Sequence, residues 1–436
     1  MSKDVAAKVL GYRWLIFWIM ALAYVFVYFH RLCPAVVAVD IQKTFGTTGG
    51  FMGILASAYF YPYALMQLPA GLLSDSLGPR KTVTSFLMIA AAGSVLFSYA
   101  WGVEIAVIAR VMVGLGVSMV FIPTMKLLSQ WFRIREFAMM TAILNTMGGV
   151  GALTSAGPLA ILTGWVGWRN SFGIIGAGTL VIAIFVWLFV RNRPQDMNLP
   201  SLADIDHAGP GSSTPPRIIS LWEGASRVVT DKHFWPVAIW FFFLVGVFFS
   251  FGGLWAGPYL AHVYGMSRTE AGSVLNMIAV GLIVGSPLIG FLSDRVFHSR
   301  KKVLSVATAL VTAELVFLTI YPSSLPIPSL YVLFFLFSVT SSAIVVIGFT
   351  TAKELFPVEI AGTSVGTVNL FPFLGGAIFQ MLLGRVLDEF PKTASGGYPL
   401  QGYQTMFLVL AGAAVIALVC TFFMKETFPG ITGFKN

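Results

Sequence analysis

Apolar stretches of the length a helix needs to cross a bilayer, about 20 residues, recur from Tyr12 almost to Met424. Bounded by Gly, Pro and charged residues, they predict helices near 13–38, 50–73, 82–102, 105–131, 138–162 and 169–190. A second six are predicted near 234–262, 268–292, 303–322, 329–354, 361–387 and 400–424. The long polar break between the sets, Arg191 to Lys232, contains Gly209-Pro-Gly-Ser-Ser-Thr-Pro-Pro216 and reads as a flexible linker. After that stretch, Ile218, Ile219, Leu221, Trp222, Ala225, Val228 and Val229 fit the apolar side of a short helix on the membrane surface. An irregular linker with incidental apolar residues fits them equally. The expected organisation is an all-α membrane protein of twelve transmembrane helices in two pseudo-symmetric six-helix bundles, residues 1–190 and 233–436, joined by a cytoplasmic linker over 191–232.

Composition agrees with lipid as solvent, since 57% of the 436 residues are hydrophobic and 10% charged, against about 25% charged in ordinary globular proteins. The first stretch follows a tail holding Lys3, Lys8 and Arg13 and lacks a small-residue cleavage site. It reads as a retained helix, not a signal peptide. Cys33 and Cys420 lie in or beside spans near opposite ends of the chain, which argues against a disulfide framework. The net charge of +9 does not point to nucleic acid, because the basic residues sit in short loops between apolar spans. Most of them, including Arg80, Lys81, Arg133, Arg191, Arg300 and Lys301, share one side if the chain starts in the cytoplasm. The positive-inside rule then places both termini in the cytoplasm and the chain in the inner (plasma) membrane.

An internal repeat relates the halves. Gly71-Leu-Leu-Ser-Asp75 after the second helix returns as Gly290-Phe-Leu-Ser-Asp294 after the eighth, an offset of 219 residues (290 − 71). Both copies precede basic clusters, Arg80-Lys81 and Arg300-Lys301-Lys302, so parallel bundles are expected. Gly71 and Gly78 suit a close helix approach and a tight turn. Asp75, at the membrane edge, suits a contact with a helix N-terminus or a nearby arginine that forms in one conformation and breaks in another.

The full run Gly71-Leu-Leu-Ser-Asp75-Ser-Leu-Gly78-Pro-Arg80-Lys81 resembles the signature loop between helices two and three of the major facilitator superfamily. The resemblance extends along the chain through the copy at Gly290, Arg110-Val-Met-Val-Gly114-Leu-Gly116, the Gly/Pro-rich run from Gly148 to Pro158, and Gly167-Trp-Arg-Asn-Ser-Phe172. It implies transport by alternating access and a gating role for Gly71, Asp75, Gly78 and Arg80, with Asp294 in the second copy. Ser76 and Pro79 stand where the family usually has basic residues, which implies a weaker latch.

Charge inside the spans is the sharper chemical signal, because a Lys or Arg at mid-bilayer costs roughly 2.5 to 3.5 kcal/mol on insertion scales unless it meets a cavity or partner. Arg31, Arg110 and Lys126 are placed so. Arg31, in Tyr28-Phe-His-Arg-Leu-Cys-Pro34, is the leading candidate to bind an anionic substrate, with snorkelling toward headgroups as the bland alternative. Arg110 has Glu104 as an alternative partner. Lys126, sixteen positions on and about 160° around an ideal helix, is a candidate for anion binding in the inner half or for snorkelling. The resemblance implies that the helices bearing these cations line the central cavity, and that Arg31 matches an arginine kept by the organophosphate antiporter and anion:cation symporter branches.

The second half departs from those branches. Adding 219 to Arg31 and Lys126 gives Ser250 and Val345, so no equivalent cations follow. This weighs against a doubly charged phosphate. Where the symporters place acidic residues this chain has His30 and Val117, which weighs against proton coupling by that route. His30 and Glu314 are the remaining protonatable groups within spans, and each also suits a packing role. Tyr28, Tyr59, Tyr61, Tyr63, Gln67, Asn145, Trp255, Asn276, Asn369 and Gln380 are candidates to orient an organic ligand or to hold helices together.

These observations predict a monomeric secondary active transporter that moves a small organic anion, such as a carboxylate or acidic sugar, by alternating access, with protons as a candidate coupling ion. Facilitated carriage of amino acids or dipeptides, and substrate sensing by a transporter-like protein, are the alternatives. No GxxxxGK[ST] loop, HExxH or metal-ligand cluster is present, so neither enzyme chemistry nor a cofactor is expected.

Overall fold

Within hydrocarbon every backbone N–H and C=O must bond inside the protein, and an apolar segment meets that demand alone only as a helix. The computed structural model describes residues 3–200, 202–205, 221–394 and 396–428. No strand occurs among these residues. The Gly209 to Pro216 stretch and Ile218 and Ile219 lie outside the described residues, whereas Leu221–Thr230 forms a short helix in which Val228 is buried.

Twelve spans follow. Span 1 is Lys3–Leu32 continued, past a break at Cys33, by Pro34–Phe45. Span 2 is Gly49–Leu65 and Gln67–Ser76, span 3 Pro79–Ser98, and span 4 Val103–Ser118 with Phe121–Trp131. Span 5 begins with Ile134–Thr154 and continues into the helix Gly157–Phe189, which turns at Gly167 (φ +77°) so that 168–189 is span 6. Span 7 comprises Phe234–Ser250, a wide π turn over Phe251–Trp255, and Ala256–Val263. Span 8 is Arg268–Phe291 with a π turn over Leu292–Phe297, and span 9 is Arg300–Ile320. Span 10 runs from Ile327–Ser341 through Ile344–Gly348 to Phe349–Glu354. Span 11 is Val358–Val368 with Leu370–Asp388, and span 12 is Leu400–Phe423.

Among the described residues, ten stretches are long and apolar enough to cross a membrane. One of them, Met139–Phe189, supplies two spans because it doubles back at Gly167. Span 2 is outside that set, interrupted at Met66 after Pro62. The first span reaches beyond the expected limit of 38, to Phe45. Asp40, Gln42 and Lys43 end the apolar run but not the helix, since Asp40 pairs with Arg268 of span 8. Arg31 therefore lies well inside its span.

The described start of the chain, the ends of spans 4 and 6 and the start of span 5 gather at one end of the molecule. Tyr12 Oη donates to the Phe189 carbonyl (2.5 Å), Arg13 pairs with Glu136 (2.7 Å), and Trp131 Nε1 donates to the Arg191 carbonyl (2.9 Å). The other ends of the spans form the opposite end. There the two halves meet backbone to backbone: a Cβ on Gly384 would stand 2.2 Å from the Gly49 carbonyl oxygen, and one on Gly257 would stand 1.6 Å from that of Ala35. Only glycine permits either approach.

After span 12 the chain folds back over the terminus-bearing end. Glu426 accepts from Ser299 Oγ and from the N–H of Arg300 (2.9 Å) and Lys301 (3.3 Å), capping the start of span 9. Thr427 Oγ1 donates to Glu354 (2.9 Å), which itself pairs with Arg300 (3.2 Å). Burial alone would raise the Glu426 pKa, but the hydrogen bonds from Ser299 and from the backbone N–H of Phe428, Arg300 and Thr427 outweigh it and hold the carboxyl below the usual glutamate value. Glu426→Gln should cost about 1 kcal/mol of stability near neutral pH, as loss of a helix cap does. Because the folded pKa is depressed, this contribution is present above the unfolded value of about 4.3 and is lost as pH falls through the folded one. Thermal unfolding of the purified wild type and variant should therefore differ at pH 7 and converge in acid. An equal melting temperature at pH 7 would refute the capping role.

Candidate functional site

The centre of the molecule is built around Arg31, which the long span 1 holds away from either end and which is 4% exposed. Its guanidinium carbon lies 4.7 Å from the ring centroid of Tyr28, 4.9 Å from Tyr63, 5.4 Å from Phe249 and 5.0 Å from Phe373. Two of these rings come from the first half and two from the second. A cation over an aromatic face gains about 0.5 to 2 kcal/mol, so four rings offset much of the burial cost without supplying a counter-charge. No carboxylate among the described residues pairs with Arg31, and its Nε is buried without a hydrogen-bond partner.

Spans 2 and 11 form the seam beside this cage. Tyr63 and Phe373 approach to 4.2 Å between centroids. One turn further along each span, Asn369 Nδ2 donates to Gln67 Oε1 (2.7 Å), and Gln67 Nε2 donates to the Tyr63 carbonyl (3.0 Å). Tyr59 stacks on Tyr63 (5.7 Å, 23°) and donates to the Val27 carbonyl (3.3 Å). Toward the opposite end the seam closes on Asp388, whose carboxylate accepts from Gly49 N and Gly50 N (both 2.7 Å) and from Tyr398 Oη (2.8 Å). The first turn of span 2 thus has its free N–H groups and positive dipole end capped by the other half. Arg268 with Asp40, Lys392 with the Thr47 carbonyl (3.3 Å) and Gly157 N with Asn276 Oδ1 (2.9 Å) add further cross-half contacts.

The structure gathers Arg31, Tyr28, Tyr59, Tyr63 and Asn369 at this centre. Asn145 is half-buried one turn from Gly148, against which the Tyr28 ring packs. Trp255 lies fully buried between spans 7 and 11, donating to the Gln380 carbonyl (3.2 Å), while Tyr61 is exposed. Arg110 (3% exposed) turns inward rather than to the exposed Glu104. It donates to the His30 carbonyl (3.1 Å) and lies over Tyr59 (5.1 Å). His30 points toward span 6, with Nε2 3.4 Å from Thr179 Oγ1. Glu314 sits on span 9, which packs against spans 10 and 12 away from the cage.

Lys126 pairs with Asp75 (2.6 Å) and donates to the Ser74 carbonyl (3.0 Å). That pair stays within the first half, with Asp75 72% exposed on its side chain. Gly78 (φ +81°) packs on Asn192, Arg80 donates to the Trp187 carbonyl (2.8 Å), and Asp294 pairs with Arg300. A Cβ on Gly71 would meet nothing within 4 Å, so the close approach expected of it is not made in this conformation.

Sequence reasoning passed over Phe249, Phe373 and Asp388. The 219-residue offset from Arg31 lands on Ser250, one position from Phe249, and that was the available signal.

Among known proteins, the chain is 24% identical over 405 residues to a probable sulfoacetate transporter of Cupriavidus necator, covering 89% of each. It is 26% identical over 383 residues to the glycerol-3-phosphate transporter of Bacillus subtilis (84% of this chain, 82% of the relative). It is 22% identical over 457 residues to a probable galactarate/D-glucarate transporter of Escherichia coli (97% of both). Its fold matches a bacterial homologue of the human lysosomal transporter Spinster, with TM-score 0.74 at 18% identity over 97% of both chains. It also matches the nucleoside transporter NupG, with TM-score 0.72 at 13% identity over 93% of this chain and 100% of that one. Residues 14–379 and 253–433 match the family model of the Major Facilitator Superfamily, and this multi-pass membrane protein belongs to that superfamily of transporters.

Proposed function

We propose that the protein is a secondary active transporter that moves a small organic anion across the inner membrane by alternating access, with Arg31 as the anion's partner. The observation that carries this reading is a guanidinium buried at the meeting of the two halves with aromatic rings but no carboxylate around it. A bidentate anion supplies the missing counter-charge. The names of the relatives, sulfoacetate, glycerol-3-phosphate and galactarate/glucarate transporters, all specify anions, which supports the same class. Residues 1–190 and 233–436 act as the two moving units and 191–232 as their tether. The positive-inside distribution of Lys and Arg supports a cytoplasmic terminus-bearing end, and on that reading the contacts around Asp388 close the outer side.

Proton symport is the coupling mode we infer. His30 adjoins Arg31 in the chain, and an anion bound there favours uptake of a proton nearby, the mutual preference that symport requires. Its ring faces Thr179 of the first bundle.

Arg31→Ala should lower affinity for the transported anion by roughly 100-fold, the loss of about 3 kcal/mol of charge-assisted hydrogen bonding. Arg31→Lys should recover only part, since an ammonium is not a fork. Undiminished uptake into proteoliposomes by the alanine variant would sink the assignment.

Asp388→Asn should shift the conformational balance toward outward opening while leaving affinity within each state nearly unchanged. Spin labels on the 46–48 and 391–394 loops should report a larger share of long distances. Distributions matching wild type would show that the carboxylate does not hold the gate.

His30→Gln should uncouple proton from anion. Substrate-driven alkalinisation outside proteoliposomes should be present for wild type and absent for the variant. Alkalinisation unchanged by the substitution would move the role to Glu314.

A further inference from the structure

We infer that the transported anion is an aromatic monocarboxylate, a molecule with one negative charge and a flat apolar body. This rests on the proposed role of Arg31 and adds the chemistry of the rest of the ligand. The first argument is charge. Lys126 is turned to Asp75, and Arg110 lies inside the first bundle over Tyr59 with Nε and Nη2 unpaired, so Arg31 is the one of these three cations that meets rings of the second half. Across from it the second half offers Phe249 and Phe373. The repeat equivalent of Arg31, Ser250, is fully buried and donates back to the Gly246 carbonyl of its own helix (2.6 Å). A second carboxylate or a doubly charged phosphate would meet aromatic carbon there and lose its hydration without replacement.

The second argument is shape and polarity. Phe249 and Phe373 are held nearly parallel, 12° apart in plane with centroids 6.3 Å apart, and Phe60 packs on Phe249 at 5.2 Å. They present aromatic faces that offset or edge contacts with another ring would extend. The amide donors nearest the cage are already engaged, Asn369 with Gln67, Gln67 with the Tyr63 carbonyl and Gln380 with the Phe249 carbonyl. The Tyr59 hydroxyl donates to the Val27 carbonyl, and the hydroxyls of Tyr59 and Tyr63 also face the guanidinium. A sugar acid brings several hydroxyls that each need a partner, whereas an arylcarboxylate needs only the guanidinium at one end and rings around the other. The π turn over Phe251–Trp255, directly after Phe249, gives span 7 the irregularity at which such side chains are re-aimed.

Purified full-length protein in detergent should be titrated calorimetrically with phenylacetate, its neutral amide phenylacetamide, glucarate and glycerol-3-phosphate. Phenylacetate should bind at least tenfold more tightly than the two polar anions, and the amide should not bind measurably. Phe373→Leu, which keeps apolar volume but removes the ring, should weaken phenylacetate by about two- to tenfold, the worth of an aromatic contact. It should leave acetate unaffected. Phe249→Arg should reverse the order and favour glycerol-3-phosphate. Glucarate or glycerol-3-phosphate binding as tightly as phenylacetate, with all binding lost in Arg31→Ala, would overturn the aromatic class and leave the anion reading standing. Binding of these anions that survives Arg31→Ala would overturn both.

Discussion

A charge buried among apolar helices has to be compensated locally, and the compensation of Arg31 determines how the rest of this molecule is arranged. Four rings surround the guanidinium, two from each half. The favourable environment of the cation is therefore a product of closure. On the proposed function, separation of the halves withdraws Phe249 and Phe373 and leaves the guanidinium the tyrosines of the first half, Tyr28, Tyr59 and Tyr63. An anion supplies at that moment what the departing rings took away. On the proposed function, binding and conformational change are coupled because both act on one unsatisfied charge.

Beyond the rings and the Asn369–Gln67 pair, the seam at the end opposite the termini is near-contact backbone. There Gly49 meets Gly384, and Ala35 meets Gly257, with no room for a Cβ. Such packing is lost abruptly as helices part, since dispersion falls steeply with distance. The polar contacts beside it, from Asp388 to Gly49 and Gly50 and from Arg268 to Asp40, are few and sit at helix ends. Each contributes modestly in net terms because water replaces the lost partner. A closed state assembled from short-range packing and a handful of exchangeable bonds suits a transporter that must leave it on every cycle.

Much of this fold was legible in the apolar runs, because lipid forces such runs to be helices and the charge between them orients the loops. The limits of the spans were less so. Span 1 continues past Asp40, Gln42 and Lys43 because Asp40 finds Arg268 some 228 residues away, and hydropathy cannot see a partner so distant. Arg31, Tyr28 and Tyr63 stood out as polar groups in apolar helices. Phe249 and Phe373 did not, since the chain has 38 phenylalanines and only packing across the seam singles out two. Lys126 carried a charge signal as strong as that of Arg31, yet the structure gives it Asp75 as partner. Charge in a span marks a group that needs an answer, and sequence does not say whether a side chain or a ligand provides it.

The repeat between the halves holds at the terminus-bearing end and fails at the centre. At the terminus-bearing end each copy of the Gly-x-x-x-Asp run ends on an acid paired with a base, Asp75 with Lys126 and Asp294 with Arg300. At the centre the correspondence breaks, with Arg31 on one side and Ser250, beside Phe249, on the other. Two parallel bundles that rock against each other need matching ends, because each must open and close the same gap. They do not need matching centres when the molecule between them has a charged end and an apolar one. A symmetric centre would place a second cation opposite the first and would suit a ligand with two anionic poles; on the proposed function, Ser250 and Phe249 in span 7 suit a ligand with one.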